Sequence, residues 1–142
     1  MGRRGCGGGV RHMWKDAYLI GDAQIDQQHK QLIGLLDDLL KSENEGEEKL
    51  RQQCRSTVRF LKDYSVHHFS SEEMLQQRIG FPFAEEHHKL HEDFKVKLHE
   101  IDLDLIRSEY SMEKIREVVS FLTHWWLFHI IREDKKMIEY MP

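Results

Sequence analysis

Apolar residues recur at steps of three and four along most of the chain, and this spacing predicts amphipathic helices that pack on one another. The first helix is expected from about Asp22, a typical N-cap residue, to Lys41. A polar linker over residues 42–46 separates it from a second helix, which runs to about Arg78. Gly80 then follows as the expected C-terminal stop.

Two more long helices follow the same pattern. Pro82 stands where the third should begin, and the fourth starts after Ser108 or Ser111. A short C-terminal helix is expected over Arg132–Tyr140. Connections this short favour antiparallel neighbours. The pattern therefore predicts an all-α fold, an antiparallel up-down-up-down four-helix bundle with an N-terminal loop and a short C-terminal helix.

Several polar residues fall on the inward stripes, where a plain bundle carries Leu or Ile. They are His29, His68, Glu72, His87, His91 and His129. A buried polar group without a partner costs about 1–3 kcal/mol, and an unpaired carboxylate costs more. Scattered separately, these groups would threaten a net stability of about 5–15 kcal/mol. One shared partner could satisfy all of them, and a metal cluster is such a partner.

The spacing of these residues narrows the kind of metal site. His68 with Glu72, and His87 with His91, are i, i+4 pairs, so each pair points from one helix face. Cys54 lies about four turns before His68, which argues against a structural zinc site. The nitrogen and oxygen donors are too many for one ion that must also leave a coordination position free for an exogenous ligand. Two carboxylate-bridged ions use them naturally, and iron is the usual metal in such bundles.

A further acidic ligand is needed near His129, and Glu133 and Asp134 are both candidates. A spacing of five places Asp134 about 140° around an ideal α-helix from His129. We therefore expect a π-type step between His129 and Asp134, since π-bulges cluster at functional sites.

Composition limits the class of protein. The chain has 142 residues, which suits one domain, and 32% of them are charged. No apolar run approaches the roughly 20 residues of a membrane span, and no apolar stretch follows the basic start as in a signal peptide. Two cysteines, Cys6 and Cys54, make no disulfide framework. These features predict a cytoplasmic protein without membrane contact, in which Cys54 fills space in the core.

Residues 1–12 differ from the rest of the chain. They contain five of the nine glycines, and the step His12-Met13 is typical of a cloning site. We interpret 1–12 as a remnant of an expression vector and 13–142 as the domain. Without Arg3, Arg4 and Arg11 the formal net charge falls from −4 to −7. An acidic chain without a basic stripe is not expected to bind nucleic acid.

The sequence resembles the hemerythrin family in its bacterial form. The resemblance covers about residues 13–140. The matching residues are Gly21, the run Ile25-Asp26-Gln27-Gln28-His29-Lys30-Gln31-Leu32, then His68-Phe69 with Glu72-Glu73, Pro82, His87, His91, the run Trp126-Leu127-Phe128-His129-Ile130, and Asp134. The order H…HxxxE…HxxxH…HxxxxD is specific to this family.

The resemblance implies a cofactor of two non-haem iron ions joined by an oxo or hydroxo group. It assigns His87, His91 and His129 to one iron, and His29 and His68 to a second, five-coordinate iron. Glu72 and Asp134 would bridge the two, so the family pattern prefers Asp134 to Glu133. It also implies that O2 binds reversibly at the open iron, as a hydroperoxide.

Other residues receive supporting roles. Trp125, Trp126 and Ile130 flank His129 and are candidates for a dry O2 pocket, with ordinary core packing as the alternative. Asp26 and Asp93 could orient ligand imidazoles, although solvated surface acids are more common. The remaining histidines lie off the stripes and are expected at the surface or beside the ligands. These are His67, His88, His99 and His124.

Three classes of biological function are compatible with O2 binding. The first is O2 or redox sensing as a module of a larger bacterial signalling protein, such as a diguanylate cyclase or a chemotaxis receptor, with that output domain fused to it. The alternative is a free-standing O2 storage or delivery protein. An enzyme, either a ferroxidase or a peroxide-consuming one, is the weakest candidate, because the stripes carry no obvious general acid or base besides the ligands.

Overall fold

The computed structural model describes residues 13–142, and these form the predicted antiparallel four-helix bundle. A 3-10 turn, Asp16–Tyr18, precedes the first long helix. The long helices are α1 (Ala23–Ser42), α2 (Glu47–Ile79), α3 (Ala84–Arg107) and α4 (Met112–Phe128). No strand occurs within the described range. The predicted vector remnant, residues 1–12, lies outside it.

The helix ends lie close to their predicted positions. The side chain of Asp22 accepts a hydrogen bond from the Ile25 N–H at the start of α1. Ser111, rather than Ser108, is the N-cap of α4 and accepts from the Lys114 N–H at 3.2 Å. Side-chain caps of this kind satisfy backbone donors that have no partner within the helix. Helices α1 and α4 therefore begin where a short polar residue precedes the apolar stripe.

Two predicted boundaries are wrong in detail. Pro82 does not begin α3 but lies in the turn before it. The predicted C-terminal helix, Arg132–Tyr140, ends at the expected residue but begins two residues later, as the 3-10 segment Asp134–Tyr140, and a π-helical turn, His129–Glu133, joins it to α4. The chain does not stop and restart there, because the widened turn lets the helix continue without a break.

Contacts between helices show the antiparallel order. Lys62 of α2 forms an ion pair with Asp102 of α3. Near the opposite ends of the same helices, His88 Nδ1 lies 3.0 Å from Glu73 Oε2. Residue numbers rise along one helix as they fall along the other, as they must in neighbours joined by a short turn.

The polar stripe lies between two apolar clusters. The larger cluster is built on buried side chains of all four helices, among them Leu36, Leu61, Leu105 and Leu122. The smaller cluster closes the other end of the bundle. It consists of Ile20, Ile25, Leu75, Phe81 and Met137. The histidines and carboxylates therefore form a polar layer with apolar packing above and below it. None of the helices in residues 13–142 has the length and apolar character that crossing a membrane requires.

Two glycines allow a matched test of the helix geometry. Gly80 has a φ of +64° at the end of α2, where a Cβ is unfavourable. Gly34 lies inside α1, and an added Cβ there would meet no atom within 4 Å. We expect Gly80→Ala to lower the free energy of unfolding by about 1 kcal/mol and Gly34→Ala to raise it by up to about 1 kcal/mol. Urea unfolding followed by circular dichroism measures both, and a loss of stability in Gly34→Ala would contradict this account.

Candidate metal centre

Seven side chains from α1, α2, α3 and the extension that continues α4 meet in the polar layer. They are His29 of α1, His68 and Glu72 of α2, His87 and His91 of α3, His129 of the π turn, and Asp134. Every one is at least 97% buried. The structure thus brings together all the residues predicted as metal ligands, and it packs their i, i+4 pairs face to face.

The Glu72 carboxylate lies among all five imidazoles. Its Oε2 is 3.1 Å from His29 Nε2 and 3.2 Å from His68 Nε2. Its Oε1 faces the other three histidines, with His91 Nε2 at 3.0 Å and His129 Nε2 at 3.3 Å. The third, His87 Nε2, is 3.5 Å away. Each oxygen therefore belongs to a different group of histidines.

The Asp134 carboxylate repeats this division. Its Oδ2 lies 2.8 Å from His29 Nε2, whereas its Oδ1 lies 2.9 Å from His87 Nε2 and 3.1 Å from His129 Nε2. Glu72 and Asp134 thus connect the same two groups of histidines, each with one oxygen on either side.

This arrangement contains two candidate cation sites. One offers Glu72, His87, His91 and His129, and the other offers His29, His68, Glu72 and Asp134. Within each site the donor atoms lie within 4.8 Å of one another. Because both sites use the Glu72 carboxylate, they suit a pair of bridged ions rather than two independent ones.

The π turn brings Asp134 to the cluster. The Asp134 backbone N–H donates to the carbonyl of His129, five residues earlier, in place of the usual four. The predicted π-type step is thereby confirmed. Glu133, the other candidate acid, is partly exposed and forms an ion pair with Lys136 Nζ at 3.2 Å. The geometry places Asp134 in the layer and Glu133 outside it.

The charges in the metal-free cluster are strongly coupled. Burial lowers the pKa of the imidazoles, but hydrogen bonds to Asp134 and Glu72 and the charges of these carboxylates raise it, to about 10 for His29 and for His87. The pKa of His129 rises to about 9 in the same way. Burial and the Glu72 charge raise the pKa of Asp134, yet the neighbouring histidines bring it to about 2. Without a metal, protons on these imidazoles supply the positive charge that the carboxylates require.

Metal loading should therefore release protons. At pH 7.5 the metal-free protein carries protons on His29, His87 and His129, and a metal-bound imidazole nitrogen must give its proton up. We expect titration with a redox-inert divalent ion such as Zn²⁺ in weak buffer to release about three protons per chain. Because protons compete with the metal, the apparent affinity should fall as the pH is lowered. Release of no protons, measured with an indicator dye, would contradict this charge assignment.

The donor set fits a cation in chemistry as well as in position. His68 Nε2 and both Asp134 oxygens are fully buried, and although other side chains of the cluster lie 2.8–3.2 Å away, none of them gives these atoms a hydrogen bond of good geometry. Buried polar atoms almost always have a partner. The two sites combine imidazole nitrogens with carboxylate oxygens and contain no thiolate, since Cys54 is buried elsewhere. Such a set suits iron better than structural zinc.

Two residues that sequence reasoning missed hold the outer nitrogens of ligand imidazoles. Gln28 Oε1 accepts a hydrogen bond from His68 Nδ1 at 2.7 Å, and Glu73 Oε2 accepts one from His91 Nδ1 at 2.8 Å. Asp26 is one of the two residues predicted to orient a ligand imidazole. Its carboxylate instead accepts hydrogen bonds from the backbone N–H groups of Ile20 and Gly21.

The second residue predicted to orient an imidazole, Asp93, is exposed on α3. The signal that could have identified Gln28 and Glu73 is adjacency, because each is next in sequence to a predicted ligand.

Aromatic rings enclose the histidines. Phe69 stacks on His91 with ring centroids 3.9 Å apart, and Trp125 stacks on His129 at 4.7 Å. Trp126 and Ile130 are fully buried, and the Trp126 ring lies 5.9 Å from that of His68. Two of the three residues predicted for an O2 pocket are therefore beside the centre, with Trp126 next to the two-histidine side and Trp125 against the three-histidine side, whereas Ile130 is buried in the larger apolar cluster.

Four histidines of residues 13–142 are outside the predicted ligand set, and they lie at the surface. His67, His88, His99 and His124 are all exposed. Two of them lie next to the residues that hold the ligand imidazoles. His88 contacts Glu73, and His67 Nε2 lies 3.4 Å from the amide nitrogen of Gln28.

Comparison with known proteins agrees with this geometry. The family model described as "Hemerythrin HHE cation binding domain" matches residues 21–141. The chain belongs to the hemerythrin family. A bacteriohemerythrin of Stenotrophomonas maltophilia is 31% identical over 122 residues, which cover 86% of this chain and 75% of that protein.

Two further relatives extend the range of the comparison. A bacteriohemerythrin of Clostridium acetobutylicum is 29% identical over 131 residues, 89% of this chain and 98% of its own length. A hemerythrin-like protein of Naegleria gruberi is 22% identical, with 87% of each chain covered. Hemerythrins hold a di-iron centre, and the buried cluster of this hemerythrin domain fits one.

Proposed function

We propose that the chain binds two iron ions in the polar layer and uses one of them to bind O2 reversibly. His87, His91 and His129 would hold one ion, and His29 and His68 the other, with Glu72 and Asp134 giving one oxygen to each. When bound, the pair of iron ions supplies two electrons for reversible transfer to O2.

The unequal division of donors carries this proposal. The three-histidine side offers three nitrogens and two carboxylate oxygens, whereas the two-histidine side offers two nitrogens and two oxygens. If one small bridging group completes the first ion, the second ion keeps a free position. A centre with a single open position, buried in an apolar bundle, is suited to a small neutral ligand such as O2.

The aromatic wall supports reversible binding. Trp126 and Ile130 are fully buried and Trp125 is half-buried, so water has little access to the two ions from this side. A hydrophobic shell of this kind limits proton supply and solvent access. We propose that these three residues form the dry side of the O2 pocket, with Trp126 on the two-histidine side, where its ring centroid lies 5.9 Å from that of His68.

The experiment that tests this function is an anaerobic ferrous loading followed by an optical titration with air. We expect two irons per chain and a colourless ferrous form that gains a charge-transfer band in air and loses it on degassing. One zinc or no bound metal would overturn the proposal. Two irons that oxidise without reversal would overturn its reversible part and favour redox sensing.

The use of O2 binding is a separate proposal. We propose that O2 binding serves O2 or redox sensing, with this domain as a module fused to a signalling output domain. The second candidate is free-standing O2 storage or delivery. One observation favours it, namely the match over 98% of the Clostridium acetobutylicum relative, in which the domain makes up nearly the whole protein.

Two measurements separate these roles. A storage or delivery protein should keep its O2 adduct for hours, whereas a redox sensor can oxidise within minutes, and the length of the full gene shows whether an output domain follows. Steady turnover of peroxide or of ferrous iron would instead establish an enzyme.

A further inference from the structure

The outer nitrogens of two ligand imidazoles have chemically different partners. On the two-histidine side, His68 Nδ1 donates to the neutral amide oxygen of Gln28 at 2.7 Å. On the three-histidine side, His91 Nδ1 donates to the carboxylate of Glu73 at 2.8 Å. Among the described residues, His29 Nδ1 has no hydrogen-bond partner at all.

The Gln28 amide is fixed in its orientation. Its nitrogen donates to Ser71 Oγ at 3.1 Å, and the Ser71 hydroxyl is itself committed to the backbone carbonyl of His67. The amide oxygen is therefore left to face His68. The partner of His68 is neutral and cannot remove its Nδ1 proton.

The Glu73 carboxylate accepts hydrogen bonds from two imidazoles. Its Oε2 lies 2.8 Å from His91 Nδ1 and 3.0 Å from His88 Nδ1. The side chains of Glu73 and His88 remain 32% and 54% exposed, so the negative charge is partly solvated. A charged acceptor is thus maintained behind His91, outside the metal layer.

A carboxylate behind an imidazole makes the opposite nitrogen a stronger donor. The hydrogen bond draws the Nδ1 proton away and gives the ring partial imidazolate character, which raises the basicity of Nε2. A more basic nitrogen favours the ferric over the ferrous ion. An amide in the same position has this effect only weakly, because it carries no charge.

We infer that Glu73 is a positioning residue that acts through His91 to make the three-histidine iron easier to oxidise than the two-histidine iron. Glu73 touches neither the ions nor O2, and its action depends on the ionised hydrogen bond to His91 Nδ1. Gln28 has the complementary role and keeps the two-histidine side neutral. This inference rests on the proposed function, since it assumes iron in the polar layer.

The test compares Glu73→Gln, which keeps the size of the side chain and removes its charge, with wild type and with Glu86→Gln. Glu86 is exposed on α3, so its replacement changes the net charge equally without a contact to the layer. We expect Glu73→Gln to lower the ferric-over-ferrous preference of one iron about tenfold, equivalent to about 59 mV in a one-electron potential. Glu86→Gln should leave both potentials at the wild-type values, and Glu73→Asp should restore part of the shift.

A second readout needs neither iron nor O2. In the zinc-loaded protein, the Nδ1 proton of His91 should give a strongly deshielded NMR signal that moves upfield in Glu73→Gln and stays in place in Glu86→Gln. Gln28→Glu gives an independent variant. By placing a negative charge behind His68, it should shift the reduction potential of the two-histidine iron in the direction opposite to the shift in Glu73→Gln.

The outcomes distinguish the two proposals. If wild type binds two irons but Glu73→Gln matches Glu86→Gln in potentials and in the His91 signal, this inference is wrong and the proposed function stands. If wild type binds no iron, both are overturned. If Glu73→Gln fails to fold, the reduction potentials of Gln28→Glu provide the test. An unchanged potential of the two-histidine iron in that variant would overturn the inference.

Discussion

Glu72→Gln is expected to abolish tight binding of both iron ions. The side chain keeps its size but loses the charge that five imidazole nitrogens share at 3.0–3.5 Å. An amide also cannot offer two equivalent oxygens to two cations. Since changes around metal ligands already cost 10–100-fold in affinity, we expect loss of a shared ligand to cost more than about 100-fold at each site.

Elemental analysis after anaerobic loading and desalting measures this loss directly. Asp63→Asn is the matched control, because Asp63 is an exposed carboxylate on the same helix and its replacement removes the same charge. Retention of two irons by Glu72→Gln would show that Glu72 does not join the two sites. Circular dichroism of the metal-free variant separates loss of binding from loss of the fold.

Asp134→Asn is expected to have the second largest effect, and Glu133→Gln almost none. The two acids are adjacent in sequence, but Asp134 Oδ2 and Oδ1 contact His29 and His87 at 2.8 and 2.9 Å, whereas Glu133 faces Lys136 at the surface. We expect Asp134→Asn to lose at least one iron, with an affinity about 100-fold weaker, under conditions in which Glu133→Gln keeps both. Equal iron contents in these variants would contradict the assignment of Asp134.

A deletion tests the π turn behind this difference. On a regular α-helix, residues four apart share a face, so the extra residue between His129 and Asp134 is what the π turn absorbs. Removing the exposed Arg132 should convert the turn to an α-helix and leave Asp134 and the buried Met137 on their present faces. We expect this deletion variant to retain iron, and complete loss of iron would show that the wider turn itself is needed.

Residues on helices were predictable because a helix fixes where its side chains point. The steps of three and four between His87, His91 and Phe94 placed all three in the interior, where the structure has them. The spacing of five between His129 and Asp134 also indicated the π turn, because no regular helix brings both to one site.

Contacts between elements could not be predicted in the same way. Asp26 lies beside the ligand His29, but the path of residues 20 and 21 brings two backbone N–H groups to its carboxylate. Glu73 reaches His91 only because α2 and α3 are aligned at that height in the bundle. Periodicity shows which face a residue occupies and leaves open which partner it meets across the interface.

The sharing of Glu72 and Asp134 between the two sites is expected to make metal loading cooperative. A first ion would displace protons from the histidines of its own side and fix both carboxylates, whose other oxygens already face the opposite side. A second ion would then find its ligands in place and their negative charge only partly neutralised. The protein is therefore expected to exist mainly as empty or fully loaded molecules, with few that hold a single ion.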